Sequence, residues 1–228
     1  MIVGTGMIAK RFSVYRQQDD FLVFASGVSN SKSQREADYL REMELLQKTI
    51  TDNKEKHFVY FSTCSIFDPS EQNGRYVRHK LQVEDYISKM TERYTVFRVS
   101  NVVGRSDNPN TIVNYYINHI RSNTNFDVWM HAFRNLIDID DVFALVEQIL
   151  KGGWHPNQII AIANKENYNV LTIVKEIERF LQQEGNYTLV ERGTSFNIDV
   201  SAIAPVIEQL QIDFGPDYLP RLLQKYFG

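Results

Sequence analysis

The 228 residues predict an α/β fold built on a parallel sheet, with a smaller lobe towards the carboxyl end. Three observations carry that reading. Short apolar, β-prone runs at 21–25, 58–61 and 94–99 end abruptly in small polar side chains, as buried parallel strands do at their carboxyl ends. Stretches with apolar residues at helical spacing alternate with those runs. The first apolar run, Met1-Ile2-Val3, passes directly into Gly4-Thr5-Gly6-Met7-Ile8-Ala9, a glycine-rich turn from strand to helix.

Composition narrows the function classes. The chain is 43% hydrophobic and 12% aromatic, enough for one sizeable core and a small second lobe. Its 25 basic and 28 acidic residues give a net charge of −3, which suggests neither a nucleic-acid nor a membrane surface. One cysteine excludes an intramolecular disulfide, and no apolar run approaches ~18 residues. Gly4 and Gly6 interrupt the apolar start, so no signal peptide is expected and the protein is expected in the cytoplasm.

Gly4-x-Gly6-x-x-Ala9 fits the first turn of a dinucleotide-binding fold. Two glycines let the backbone approach a pyrophosphate, and the helix amino terminus favours its charge. The bland alternative is a glycine turn without a ligand. A helix is expected from Ile8 to about Gln18, then the strand over 21–25, which ends in Ser26 and Gly27 with no acid. The next helix, over 34–51, places Tyr39, Met43, Leu46 and Ile50 inward. The strand at 58–61 ends in Ser62-Thr63-Cys64-Ser65, and a helix opens at Tyr76.

Tyr76 and Lys80 are four apart and share a helix face, which Val83, Ile87 and Met90 continue against the sheet. A lysine cation beside a tyrosine favours the phenolate. Such a tyrosine can exchange a proton with a carbinol oxygen, and Thr63 can hydrogen-bond the same oxygen. The spacing alone is weak, because 12 tyrosines give about one such pair by chance. His79 reads as a surface residue, and Cys64 as an inert buried thiol.

Arg98, Ser100, Asn101 and Gly104 line the exit of the strand at 94–99, and a polar, turn-rich loop follows over 105–110. The helix over 111–121 buries Ile112, Tyr116 and Ile120, and 126–130 forms a short strand. Arg134 suits a diphosphate bidentately, or else an ion pair with Asp138 or Asp140. Asp140 is expected to cap the helix over 141–151, which Gly152-Gly153 stops. A last strand over 158–163 precedes a helix over 171–183 with Ile173, Ile177, Phe180 and Leu181 inward, and a further helix follows Asp199.

Taken together, Ser62-Thr63 after a strand, Tyr76-x-x-x-Lys80, Arg98-x-x-Asn101-x-x-Gly104 and the Arg134 segment resemble the extended short-chain dehydrogenases. These form the NAD-dependent epimerase/dehydratase family, which modifies nucleotide sugars. The resemblance implies a Rossmann-like cofactor domain of 1–105 plus about 136–163, and a substrate lobe of about 106–135 plus 164–228. It implies a catalytic set of Thr63, Tyr76 and Lys80. NAD or NADP would lie against Gly4, Thr5, Gly6, Met7 and Ile8, then Ala25, Ser26 and Gly27, then Ser62, Tyr76, Lys80, Ser100 and Asn101. A nucleotide sugar would meet Ser65, Asn101 and Arg134, with no metal.

Taken alone, 21–25 could be the second strand, ending with no acid; within that resemblance it corresponds to the family's fourth strand. The usual second and third strands, and the acid that grips the adenosine ribose, are then absent. Where related dehydratases carry Thr-Asp-Glu, this chain has Thr63-Cys64-Ser65, which implies reduction or epimerisation rather than dehydration. Lys10, Arg11 and Lys32 are the cations open to a 2′-phosphate. The alternative is a degenerate member that binds a sugar nucleotide or a partner without turnover. A homodimer is compatible with either.

Overall fold

The computed structural model describes residues 1–153 and 156–228. In chain order its elements begin with β1 (Ile2–Val3), α1 (Met7–Arg11), β2 (Phe21–Phe24), α2 (Glu36–Thr51), β3 (His57–Thr63), α3 (Arg75–Met90) and β4 (Tyr94–Val99). There follow β5 (Asn101–Val103), α4 (Ile112–Arg121), β6 (Phe126–Trp129), β7 (Phe133–Arg134), β8 (Leu136–Asp138), α5 (Ile139–Lys151) and β9 (Gln158–Ile162). The chain closes with β10 (Tyr168–Asn169), α6 (Val170–Leu181), β11 (Tyr187–Val190), α7 (Ala204–Gln209) and α8 (Tyr218–Phe227).

The five main strands pair in the order β1-β2-β3-β4-β9, all parallel, so their carboxyl ends share one edge of the sheet. β3 sits at the centre, and all seven of its residues are buried, which explains its unbroken apolar reading. β1 forms one border of the sheet. Among the described residues no strand lies outside it. One face packs Leu22, Phe24, Phe58, Tyr60 and Val96 against Leu46 and Ile50 of α2 and Val83 and Ile87 of α3. The other face carries the larger core, where Phe12, Phe61, Phe97 and Val99 meet the helices α4 to α8. Short two-stranded pairings join β5 with β8, β6 with β11 and β7 with β10.

Several local expectations are corrected. The helix expected over 8–18 is a five-residue helix, α1, followed by a 3-10 turn over Ser13–Gln17, with Phe12 and Tyr15 both buried in the core. Met90 does not continue the buried face of α3: it lies in the last turn and is 51% exposed. The cap of α5 is Asp138, whose side chain accepts from the Asp140 N–H, so Asp140 is inside the helix.

Candidate active site

Of the residues expected to hold a cofactor, Gly4, Thr5, Gly6, Ala25, Ser26, Gly27 and Ser100 stand on the loops at the carboxyl edge of the sheet, where each strand's last paired residue leaves a short exit. Gly4, after β1, has φ +129, and a Cβ there would lie 2.3 Å from the Ala25 carbonyl oxygen. Only glycine lets the turn after β1 close on the loop after β2. Thr5 and Gly6 are exposed, and a Cβ on Gly6 would meet nothing within 4 Å, so open space lies beside the start of α1. Met7 and Ile8 are half-buried, and Ser26 accepts a long hydrogen bond from Arg41 Nη1 at 3.4 Å.

Ser100, after β4, has a buried hydroxyl oxygen with no hydrogen-bond partner among the described residues. An orphaned buried hydroxyl is costly unless a ligand completes it. With the Gly4 cradle and the open ground at Gly6, it fits a dinucleotide lying along this edge.

Tyr76 and Lys80 lie on the first turns of α3, with the Lys80 Nζ 5.8 Å from the Tyr76 ring centroid. Tyr76 is half-buried, and its hydroxyl makes no hydrogen bond among the described residues. Lys80 is 2% exposed and is committed elsewhere. Its Nζ donates to Glu42 Oε1 at 2.9 Å and to the Tyr60 hydroxyl at 2.7 Å. Gly27 roofs it, since a Cβ at that position would sit 2.6 Å from Nζ.

Glu42 is the functional-site residue that the sequence reading missed. It is fully buried and also accepts from Tyr60 OH (2.6 Å), from the Val28 N–H (2.7 Å) and from His79 Nε2 (3.1 Å). Burial would raise its pKa, but the Lys80 charge and the hydrogen bonds from His79, Tyr60 and Lys80 outweigh burial and hold the carboxyl well below the usual range. His79 is therefore not a surface residue: it is 6% exposed and belongs to this network. A signal was present, because Glu42 is a charge on the inward stripe between Tyr39 and Leu46.

A second buried carboxylate braces the neighbouring strands. Glu84 Oε1 accepts from Ser62 Oγ at 2.5 Å and from Arg98 Nε at 3.0 Å, and Arg98 Nη2 meets Oε2 at 2.6 Å. The side chains of Ser62 and Arg98 thus face Glu84. Thr63 is 7% exposed. Its hydroxyl donates to Ser65 Oγ at 3.1 Å and accepts from the Ser65 N–H at 3.0 Å. The half-buried Ser65 hydroxyl finds no acceptor among the described residues, which leaves its proton for a ligand. The Cys64 Sγ donates to the Arg98 carbonyl, and burial pushes its thiol up to about 12.

The remaining candidates divide. Asn101 is exposed and its amide donates to the Asn135 carbonyl at 2.9 Å. Arg134 pairs with Asp68 at 3.2 Å, not with Asp138 or Asp140, because those acids are engaged by Lys225 and Arg11. Arg11 is accordingly taken by Asp140 and stacks on Phe143, and Lys32 lies 5.9 Å from the Tyr115 ring centroid. A cavity of about 330 Å³ beside α8 is lined by Asp138, Asp141, Tyr218, Arg221 and Lys225, and none of the expected site residues lines it. No group of His, Cys, Asp and Glu among the described residues could hold a metal ion, and no helix there is long and apolar enough to cross a membrane.

Residues 21–170 match the model of a family described as the NAD dependent epimerase/dehydratase family. No curated protein matches. Among solved structures, a UDP-glucuronic acid 4-epimerase from Bacillus cereus, in complex with UDP-glucuronic acid and NAD, has a TM-score of 0.68 at 15% identity, covering 93% of this chain and 78% of that one. A dTDP-glucose 4,6-dehydratase from Bacillus anthracis in complex with NAD gives 0.66 at 13%, covering 89% and 71%. RMD from Pseudomonas aeruginosa, complexed with NADPH, gives 0.65 at 14%, covering 82% and 74%. At such identities the likeness is one of fold.

Proposed function

This chain belongs to the NAD dependent epimerase/dehydratase family, and from that premise we propose that it is a reductase or epimerase acting on a nucleotide-linked sugar, with NAD or NADP as cofactor. The observation that carries the reading is Tyr76 on α3, its ring centroid 5.8 Å from the Lys80 Nζ, the phenol half-buried and unengaged among the described residues. The cofactor, when bound, supplies or takes up the hydride.

The chain's own residues supply the rest. Tyr76 holds the proton that moves to or from the sugar's carbinol oxygen. Thr63 passes its hydrogen bond to Ser65, so Ser65 presents the donor that orients that oxygen. Gly4, Thr5 and Gly6 receive the pyrophosphate on backbone N–H groups, and Ser100 gives its unpartnered hydroxyl to the cofactor. Arg134 reaches the substrate diphosphate after leaving Asp68, a carboxylate that also holds Ser70. With Cys64 and Ser65 in place of an acid and a base, the site favours reduction or epimerisation over loss of water.

The sheet order supports the reading that two customary strands are missing, since β1 is the border. That favours a second reading, a family member that binds a sugar nucleotide without turnover. The deciding experiment is incubation with nucleotide sugars and NAD(H) or NADP(H), product being followed by mass spectrometry. Tyr76→Phe should lower kcat by about 10²-fold or more while cofactor binding persists. Turnover equal to the native rate in Tyr76→Phe removes Tyr76 from the mechanism, and binding without product in the native protein selects the second reading.

A further inference from the structure

Glu42 ties together three parts of the site. Its Oε1 receives Lys80 and Tyr60, and its Oε2 receives His79 and the Val28 N–H of the loop after β2. The carboxylate lies 2.9 Å from the lysine Nζ, whereas the Tyr76 ring centroid is 5.8 Å from that nitrogen. The side chains of Lys80 and Glu42 are 3% and 0% exposed, so solvent screens neither.

We propose that Glu42 is a positioning residue for the Tyr76–Lys80 pair: it takes up the lysine's charge, so that Tyr76 faces a neutral ion pair instead of a free cation. The proposal deepens the catalytic reading above and rests on Tyr76 being its acid/base beside Lys80.

A lone opposite charge within ~4–6 Å shifts a titrating group by about 1–3 pH units. A carboxylate in direct contact with that charge cancels most of the effect, because the two potentials have opposite sign and similar range. The other groups around the pair do not replace Glu42. From α2 comes Tyr39, whose ring edge meets His79 at 5.0 Å. From β3 comes the Tyr60 hydroxyl, already bonded to both Glu42 and Lys80. From α3 come His79, Arg75 and Glu84. Arg75 lies over the Tyr39 ring and 3.9 Å from Glu36, and Glu84 is consumed by Arg98 of β4. The loop after β2 brings Gly27 and the Val28 N–H, neither of them charged.

The test is alkaline titration of ligand-free protein, followed by tyrosinate absorbance. Each variant is compared with its own Tyr76→Phe counterpart to isolate the Tyr76 step. In Glu42→Gln the carboxylate charge goes and Lys80 remains, so the Tyr76 step should move to lower pH by about 1 unit or more. In the double variant Glu42→Gln/Lys80→Met both charges go, and the step should return to within about half a unit of native. An unmoved step in Glu42→Gln overturns the proposal. So does a double-variant step about 1 unit or more above native, which would mean that Lys80 acts on Tyr76 as an uncompensated cation.

Glu42→Gln buries an unpaired lysine and risks unfolding; the double variant buries no lone charge, and a step about 1 unit or more above native in it still overturns the proposal. The measurement needs no substrate or cofactor. Absence of turnover therefore strikes the catalytic reading alone, and an unmoved tyrosine step strikes this one alone.

Discussion

His57 opens β3 with its ring buried between Phe21, 5.3 Å away by centroids, and the Thr95 hydroxyl, 2.8 Å from Nε2. Burial first, and then the charge of Arg93, push its pKa from 6.5 down to about 4. Between those two values the unfolded chain takes up a proton that the folded protein refuses, so stability falls as the pH drops through that window. Urea unfolding should lose about 2–3 kcal/mol from this group between pH 7 and 4, and His57→Gln should remove that share of the slope. An acid slope unaltered by the substitution would show that His57 titrates normally. Cys64 offers a second check at this scale. With its thiol raised by burial and donating to Arg98, alkylation at neutral pH should wait for unfolding; rapid labelling of the native protein would contradict its placement.

The carboxy-terminal helix is held by polar groups as well as by its apolar stripe of Leu219, Leu222 and Leu223. Tyr218 donates to Asp141 Oδ2 at 2.6 Å and accepts from the Asp138 N–H at 2.8 Å. At the far end of the helix, Lys225 reaches Asp138 and Asp140, both at 2.7 Å, and Tyr226 donates to Asp138. Asp138 is also the cap of α5, so α8 is fastened to the start of the helix that returns the chain to the sheet. Tyr218→Phe keeps the ring and strands two partners, one of them the half-buried Asp141, whose pKa burial already raises. The expected cost is about 1–3 kcal/mol in chemical denaturation, and a loss under about 0.5 kcal/mol would show that water replaces the hydroxyl.

At the scale of the whole molecule the sheet has a border where a dinucleotide's adenosine half needs a wall. β1 is the last strand on that side, and the loop after β2 ends in Ala25, Ser26 and Gly27 with no carboxylate for a ribose. On the proposed reading, Gly4 and the open Gly6 turn would meet the pyrophosphate, and Ser100 and Tyr76 the nicotinamide end. Loss of one charge-assisted hydrogen-bond pair is worth about 1.5–3 kcal/mol, roughly ten- to a hundredfold in affinity. Calorimetry on the monomer should accordingly find weak NAD(H) binding that tightens if a second subunit completes the adenine side. Tight, concentration-independent binding by a proven monomer would show that the missing wall is immaterial.

The five strands of the main sheet, the glycine turn and the Tyr76–Lys80 face were legible along the chain because each depends on neighbours within a few residues. The border position of Ile2–Val3 follows from the resemblance, in which its usual outer neighbours are absent from the chain. What the chain alone did not disclose were pairings between distant positions. Glu42 and Lys80 are 38 residues apart, Asp68 and Arg134 66, and Asp138 and Lys225 87. Spacing within one helix placed His79 away from Tyr76 and Lys80, yet α2 packs against α3 and supplies a buried carboxylate that turns His79 inward. A charge finds its countercharge across the core, wherever burial makes an unpaired one too costly, and only the packed tertiary structure decides which residues meet there.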